Sequence, residues 1–163
     1  QSILRILGRL QPKKIIVVSS APQIRYPDCY GIDMARLGSF VAFRAAESLH
    51  QERGTYEQLF QEVYLSAKEA VDQRLEDGIN HVKRIYEPFS SEEISDRIAT
   101  LLKPVDLGIE VEIIYQSIQG LHNACPEHLG DWYFTGNYPT PGGTRVVNKA
   151  FVYHMEGNLN RAY

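Results

Sequence analysis

Apolar positions along the first part of the chain follow two different spacings. Residues 3–10 carry isoleucines and leucines at helical spacing, and Pro12 ends that predicted helix. Residues 15–18 are a continuous Ile-Ile-Val-Val run, which is typical of a strand buried on both faces of a parallel sheet. Because ligands of open α/β sheets bind beyond the carboxyl ends of strands, loop 19–33 is the first candidate region for function.

The middle of the chain is predicted to be helical. A long helical stretch is predicted from about Thr55 to Tyr86, with one apolar stripe from Leu59 to Val82, and the pair Asp77-Gly78 is a candidate break within it. Ser90 followed by a glutamate at position 93 is the pattern of a capping box, which predicts another helix start.

Residues 109–115 alternate between apolar and acidic side chains, which indicates a half-buried strand. Ser117 is a candidate cap for a short helix. The segment 123–163 is rich in glycine and proline and is predicted to be mostly loop, with one short helix around Phe151 to Met155. Together these patterns predict an α/β fold with few strands and a large helical layer.

Composition narrows the class of protein. Hydrophobic residues make up 44% and charged residues 23% of the 163 residues, and the formal net charge is −3, so neither nucleic acid nor a membrane surface is an expected partner. The longest apolar run, 15–18, is far shorter than the roughly 20 residues of a membrane helix. Two cysteines make no disulfide framework, so we expect a cytoplasmic protein. Since a helix is already under way at residue 2, we expect a piece cut from a longer chain.

Local catalytic motifs are absent from the sequence, including the glycine-rich phosphate loop and the helical metalloprotease motif. His122, Cys125 and His128 have a spacing that would suit zinc, but a structural zinc site needs four ligands and no fourth has a regular spacing nearby. We therefore favour a polar loop and predict no zinc.

Arg25 has two possible interpretations: it is either an anion-binding side chain or an ordinary loop arginine.

Three segments of this chain resemble amidophosphoribosyltransferases. Residues 13–34, KKIIVVSSAPQIRYPDCYGIDM, resemble that family's strand followed by S/A-x-P-x-I, a spacer and Y-G-I-D. Residues 133–140, YFTGNYPT, resemble its F-T-G-x-Y-P-T motif, and residues 90–94, SSEEI, resemble an S-x-E-E-I helix start. All three occur in the family's order, so the chain looks like the C-terminal portion of a type I phosphoribosyltransferase domain covering 1–163.

The resemblance implies a glycosyltransferase of purine biosynthesis, a glutamine amidotransferase whose substrates are phosphoribosyl pyrophosphate and glutamine. It also implies a glutaminase domain with a cysteine nucleophile, a phosphate loop and a magnesium site, none of whose segments occurs in this sequence. No catalytic residue and no magnesium ligand is therefore expected here, and the chain alone is predicted to be inactive. Its partner would be the rest of its own chain, and we expect a homo-oligomer.

The family resemblance also suggests residues that support a site. Tyr30, Gly31 and Asp33 close the strand-end loop, and Asp33 is expected both to cap the next helix and to face the substrate site or the ammonia channel. The alternatives are a stand-alone binding or scaffold module and another type I phosphoribosyltransferase; the F-T-G-x-Y-P-T resemblance disfavours the latter.

The sequence departs from the family at three places. Residues 43–89 form an apparent helical insertion, and the likeness ends after Thr140. Some bacterial members hold an iron–sulfur cluster through cysteines, but here Asp28 stands at the first of those positions, and Glu127, Gly130 and Tyr133 stand near the others. Because two thiols are also too few for the usual four ligands, we predict no iron–sulfur cluster.

Overall fold

A computed structural model describes residues 2–28, 34–73, 78–128 and 130–162. Within these ranges the fold is mixed α/β, with eight helices and a small parallel sheet. The helices are α1 (Ser2–Gly8), α2 (Val41–Arg53), α3 (Tyr56–Asp72), α4 (Lys83–Tyr86), α5 (Ser91–Leu102), α6 (Ile118–Ala124), α7 (Trp132–Thr135) and α8 (Pro141–Met155), and the strands are β1 (Lys14–Ser19) and β2 (Glu110–Tyr115).

Strands β1 and β2 are parallel neighbours, and their register runs from Lys14 opposite Glu110 to Ser19 opposite Tyr115. The ammonium group of Lys14 lies 2.7 Å from a carboxylate oxygen of Glu110 and 2.6 Å from one of Glu112. Hydrogen bonding to these two carboxylates raises the pKa of Lys14, so the side chain stays charged. The carboxyl ends of both strands therefore lie side by side, as the sequence predicted for a parallel sheet.

The expectation that β1 is buried on both faces is wrong for the described chain. Ile15 is buried and packs with Leu4 and Leu107, but Ile16 and Val18 are 53% and 72% exposed. The physical reason is that β2 is the only strand paired with β1 in the described ranges, and no described element covers the face that carries Ile16 and Val18. An apolar run reports how hydrophobic a strand is and cannot report whether its neighbours are present.

The main core lies among α2, α3, α5 and α8. Phe43, Phe60 and Phe151 come from three of these helices, and their ring centroids are 5.9 to 6.2 Å apart. Ile94 and Ile98 of α5 are fully buried in the same core. Segment 43–89 is therefore helical over much of its length and is packed inside this domain.

The predicted helical stretch from Thr55 to Tyr86 is divided into α3 and α4. Gly78 has φ of +69°, a left-handed conformation that suits glycine and that no continuing helix adopts. Asp77, which the sequence analysis paired with Gly78 as the break, lies outside the described residues.

Two predicted caps are present. The hydroxyl of Ser90 accepts from the backbone N–H of Glu93 at 3.1 Å, and the Glu93 carboxylate accepts from the backbone N–H of Ser90 at 2.8 Å, which completes the capping box of α5. The hydroxyl of Ser117 accepts from the N–H of Gly120 at 2.9 Å and caps α6.

The description of 123–163 as mostly loop is corrected by α8, which begins at Pro141 rather than near Phe151. Thr140 is its cap, and its hydroxyl accepts from the N–H of Gly143 at 3.2 Å. Pro141 occupies the first helical position, where its missing N–H costs nothing, so the Pro-Gly-Gly sequence starts a helix here.

Buried amides fasten α8 to the segment that precedes α4. The Asn148 side chain accepts from the N–H of His81 at 3.1 Å and donates to the carbonyl of Ile79 at 2.9 Å. Near the other end of α8, a ring nitrogen of His154 lies 2.8 Å from a carboxylate oxygen of Glu47.

No helix in the described part of the chain is long and apolar enough to cross a membrane.

Candidate functional site

The segment that follows β1 is held by hydrogen bonds among its described residues. The hydroxyl of Ser19 donates to the carbonyl of Ala21 at 2.9 Å and shapes the turn at the strand end. Farther along, the N–H of Asp28 donates to the carbonyl of Met34 at 3.1 Å. This bond joins the two described residues that flank positions 29–33 in sequence; residues 25–28 together with Met34 are called the neck below. Tyr30, Gly31 and Asp33, the expected site residues, lie outside the described residues, as does Cys29.

The segment around α7 holds the neck of this loop. The carbonyl of Tyr133 accepts from the backbone N–H groups of both Arg25 and Tyr26, at 2.9 and 3.1 Å. The indole N–H of Trp132 donates to a carboxylate oxygen of Asp28 at 2.7 Å, and the hydroxyl of Tyr138 donates to the carbonyl of Pro27. Two segments more than a hundred positions apart in sequence are thus joined by backbone and side-chain hydrogen bonds.

Gly136 is required at this junction for two reasons. Its φ is +70°, and a Cβ there would lie 2.6 Å from the Asn80 side-chain nitrogen and 2.8 Å from the Tyr26 ring. The Asn80 amide also donates to the Gly136 carbonyl at 3.1 Å. Any other residue would therefore strain the backbone and push the loop away from α7.

Arg25 is held at both its backbone and its side chain. Its carbonyl accepts from the hydroxyl of Tyr86 at 2.8 Å, and its guanidinium carbon lies 5.3 Å from the centre of the Tyr86 ring. Its Nε and Nη2 atoms donate to the side-chain oxygen of Gln23 at 3.2 and 2.8 Å, and Nη2 also donates to the Ser91 hydroxyl at 3.1 Å. Burial raises the pKa of Tyr86, which keeps its hydroxyl protonated and able to donate.

Gln23 is the buried support of Arg25. The residue is only 5% exposed. Its side-chain amide nitrogen donates to the carbonyl of Ser91 and to the hydroxyl of Ser95, both at 2.8 Å. Because both of its N–H groups are taken by α5, its oxygen is aimed at Arg25. The first turn of α5 therefore positions the guanidinium through one intermediate side chain.

Arg25 faces a cleft of about 510 Å³ at the carboxyl edge of the sheet. The wall combines the loop after β1, the first two turns of α5, the last residues of β2 and the start of α6. Besides Gln23 and Arg25, the lining includes Ser91, Tyr115, Gln116, Ser117 and Phe134. Its volume falls within the range of about 300–1,000 Å³ that is usual for small-molecule sites.

Three carboxylates also line the cleft. Glu112 is paired with Lys14, whereas Glu92 and Asp96 are exposed and have no ion pair among the described residues. Arg25 likewise has no carboxylate within 4 Å in the described part of the chain, since all its side-chain hydrogen bonds go to neutral acceptors. The cleft therefore has one organised cation and an acidic rim.

His122, Cys125 and His128, the residues with the zinc-like spacing, lie in different surroundings. His122 lies on α6 and its Nε2 atom is 2.9 Å from a carboxylate oxygen of Asp131, Cys125 is exposed at the end of α6, and His128 accepts from the N–H of Gly130 at 3.1 Å. Among the described residues, no group of three or more His, Cys, Asp or Glu side chains is arranged to hold a metal ion.

Sequence reasoning missed Gln23, Tyr86 and Trp132, and it gave Arg25 only an open choice between two roles. The signal for Gln23 and Trp132 was weak, since each lies within or beside a family-like segment and neither belongs to a catalytic residue type. Tyr86 was predicted only as the end of the long helical stretch, although its hydroxyl donates to the backbone carbonyl of Arg25.

In comparisons with known proteins, the chain matches no protein-family model, no curated protein and no solved structure.

Proposed function

We propose that this chain is the C-terminal part of the type I phosphoribosyltransferase domain of an amidophosphoribosyltransferase. Such an enzyme makes 5-phosphoribosylamine from phosphoribosyl pyrophosphate and glutamine in the first step of de novo purine biosynthesis. The phosphate loop, the magnesium ligands and the glutaminase nucleophile belong to the rest of the same polypeptide, so the chain alone is inactive. We expect the whole protein to be a cytoplasmic homo-oligomer.

One observation carries the proposal: the two segments that separately resemble this family meet in space. Residues 13–34 and 133–140 are remote in sequence, yet the Tyr133 carbonyl accepts from Arg25 and Tyr26, and Tyr138 donates to Pro27. A chance likeness of two short motifs would give no reason for them to be in contact. Their contact at the carboxyl edge of a parallel sheet supports a shared site there.

The open face of the sheet gives further support. Parallel sheets are normally covered on both faces, but Ile16, Val18 and Ile114 are 53%, 72% and 44% exposed. These side chains are suited to burial beneath further elements of a larger α/β domain. In this proposal the additional strands and helices come from the same polypeptide.

Asp33 is proposed to couple the two half-reactions rather than to act as a nucleophile. Its position in sequence falls between Asp28 and Met34, whose backbone groups are hydrogen-bonded to each other, and Trp132 of α7 donates to the carboxylate of Asp28. Its carboxylate would order neighbouring basic groups along the ammonia path. We expect Asp33→Asn in the whole enzyme to lower glutamine-dependent activity more than ammonia-dependent activity. Equal wild-type rates with both donors would leave Asp33 only a helix cap.

A genetic test addresses the function as a whole. The complete gene should allow a strain that lacks its own amidophosphoribosyltransferase to grow without added purines. The same gene without the codons that encode this chain should not. Gly136→Val, which introduces a β-branched side chain at φ +70°, should also fail, whereas Gly54→Ala, also at positive φ but with open space around it, should still support growth. Failure of the complete, well-expressed gene to support growth would contradict the proposal.

A second candidate is a stand-alone binding or scaffold module. The observation that favours it is the cleft around Arg25, because residues from several described segments of this chain line it. A module of this kind would bind its ligand as well in isolation as in any longer polypeptide, and its longer form would not release pyrophosphate from phosphoribosyl pyrophosphate.

A further inference from the structure

We propose that the cleft between the loop after β1 and the first turns of α5 binds a small molecule with one carboxylate or phosphate group, and that Arg25 binds this group. This inference does not depend on the proposed function, because it rests on side chains that are all present in the described chain.

The first argument is that Arg25 is preorganised. Its N–H donates to the carbonyl of Tyr133 and its carbonyl accepts from Tyr86, so the backbone is fixed on both sides. Its guanidinium lies over the Tyr86 ring and donates twice to Gln23. A long side chain on a surface loop ordinarily keeps its rotamer freedom, whereas here that entropy is already lost before a ligand arrives.

The second argument is that a defined part of the guanidinium remains free. Five N–H groups are available to an arginine, and the bonds to Gln23 and Ser91 use those on Nε and Nη2. Nη1 has no acceptor among the described residues. Neutral oxygens accept all the side-chain bonds that Arg25 makes among the described residues, so no described carboxylate forms an ion pair with it. An anionic oxygen in the cleft would satisfy both the unused donors and the charge.

The third argument concerns the buried support. Gln23 is 5% exposed, and its amide is satisfied by the carbonyl of Ser91 and the hydroxyl of Ser95. Burying a glutamine costs free energy unless its polar atoms are paired, and here the pairing serves to aim its oxygen at the guanidinium. Holding an arginine through a buried side chain is how binding sites fix the geometry of a charged group.

The rim limits what the ligand can be. Glu92 and Asp96 line the same cleft, are exposed, and have no ion pair among the described residues. Their charge repels a polyanion such as nucleic acid, while a ligand with a single anionic group and hydroxyl or ammonium groups elsewhere would be tolerated. The volume of about 510 Å³ is also that of a small-molecule site.

The test is a titration of the isotopically labelled chain followed by NMR at constant ionic strength, with inorganic phosphate and acetate as separate probes. We expect saturable shifts of the backbone amides of Gln23, Ser91 and Gln116. Saturation with phosphate alone identifies a phosphate ligand, with acetate alone a carboxylate, and with both a site for either anion. Shifts that rise linearly without saturation for both probes would overturn the proposal.

Matched variants locate the effect. Arg25→Gln should weaken binding about tenfold or more, the loss that follows from one charge-assisted interaction. Arg44→Gln makes the same change at an exposed position on α2 and should leave binding unchanged. Arg25→Lys keeps the positive charge but loses the planar set of guanidinium donors, so it should also weaken binding. This variant serves as the test if Arg25→Gln fails to fold. Equal effects of the Arg25 and Arg44 variants would contradict the assignment.

Discussion

Removing two carbon atoms from Val63 tests the packing of α3 within the core. Val63 is fully buried, and α3 and α8 pack against each other in the same hydrophobic core. Val63→Ala deletes two methyl-sized groups, worth about 0.8 kcal/mol each in transfer free energy, and leaves a small cavity. The better helix propensity of alanine offsets up to about 0.7 kcal/mol. We therefore expect the free energy of unfolding to fall by about 1.5–2.5 kcal/mol.

Urea unfolding followed by circular dichroism measures this change, and the melting temperature should fall by roughly 3–10 °C for a chain of this size. Val105→Ala is the matched control, because it removes the same atoms from a valine that is fully exposed at 106%. The control should change stability by no more than about 0.5 kcal/mol. If Val63→Ala costs no more than Val105→Ala, then α3 is not packed in the core as described.

Further expectations concern the cap of α5, a buried histidine and metal content. Ser90→Ala should cost about 1 kcal/mol of stability in urea unfolding because it breaks the capping box, while Ser66→Ala, at a half-buried serine inside α3 that caps no helix, should cost less. Burial lowers the pKa of His50 below 6.5, so the folded protein favours the neutral imidazole. The contribution of this histidine to the free energy of unfolding is therefore fully present above pH 6.5 and is lost as the pH falls. His50→Gln should reduce that part of the pH dependence, and identical pH–stability curves for both proteins would refute the assignment. Metal analysis of anaerobically isolated chain should find neither zinc nor iron in stoichiometric amount, and one equivalent of either would prove this expectation wrong.

Local signals predicted the parts of the fold that depend on neighbours in sequence. The capping box at Ser90 and the cap at Ser117 need only residues three positions away, and both formed as predicted. The alternating pattern at 109–115 likewise identified β2. The caps depend on side-chain hydrogen bonds within one helical turn, and the strand pattern depends on the alternation of side chains between the two faces of a strand, so both can be predicted from local sequence.

Features that depend on distant parts of the chain were harder to predict. The exposure of Ile16 and Val18 follows from which elements flank β1, which no property of residues 15–18 encodes. The start of α8 was missed because Pro141 and the two glycines after it were interpreted as loop residues, although proline suits the first position of a helix.

The candidate site also combines features that local sequence predicted with features that it could not predict. Sequence reasoning selected the loop after β1 and offered anion binding as one role for Arg25. It could not predict the support of Arg25, because Tyr86 and Ser91 lie 61 and 66 positions after Arg25 in sequence and contact it only in the folded chain. Asp33, Tyr30 and Gly31 remain predictions from the family resemblance.

Product formation by the purified, complete gene product tests the central claim most directly. With phosphoribosyl pyrophosphate, magnesium and glutamine, the account predicts pyrophosphate release matched by an equal amount of glutamate, and continued pyrophosphate release when ammonia replaces glutamine. Purified chain 1–163 should give neither product above the blank. A folded complete protein that releases no pyrophosphate with either nitrogen donor, or an isolated chain that does, would contradict the account.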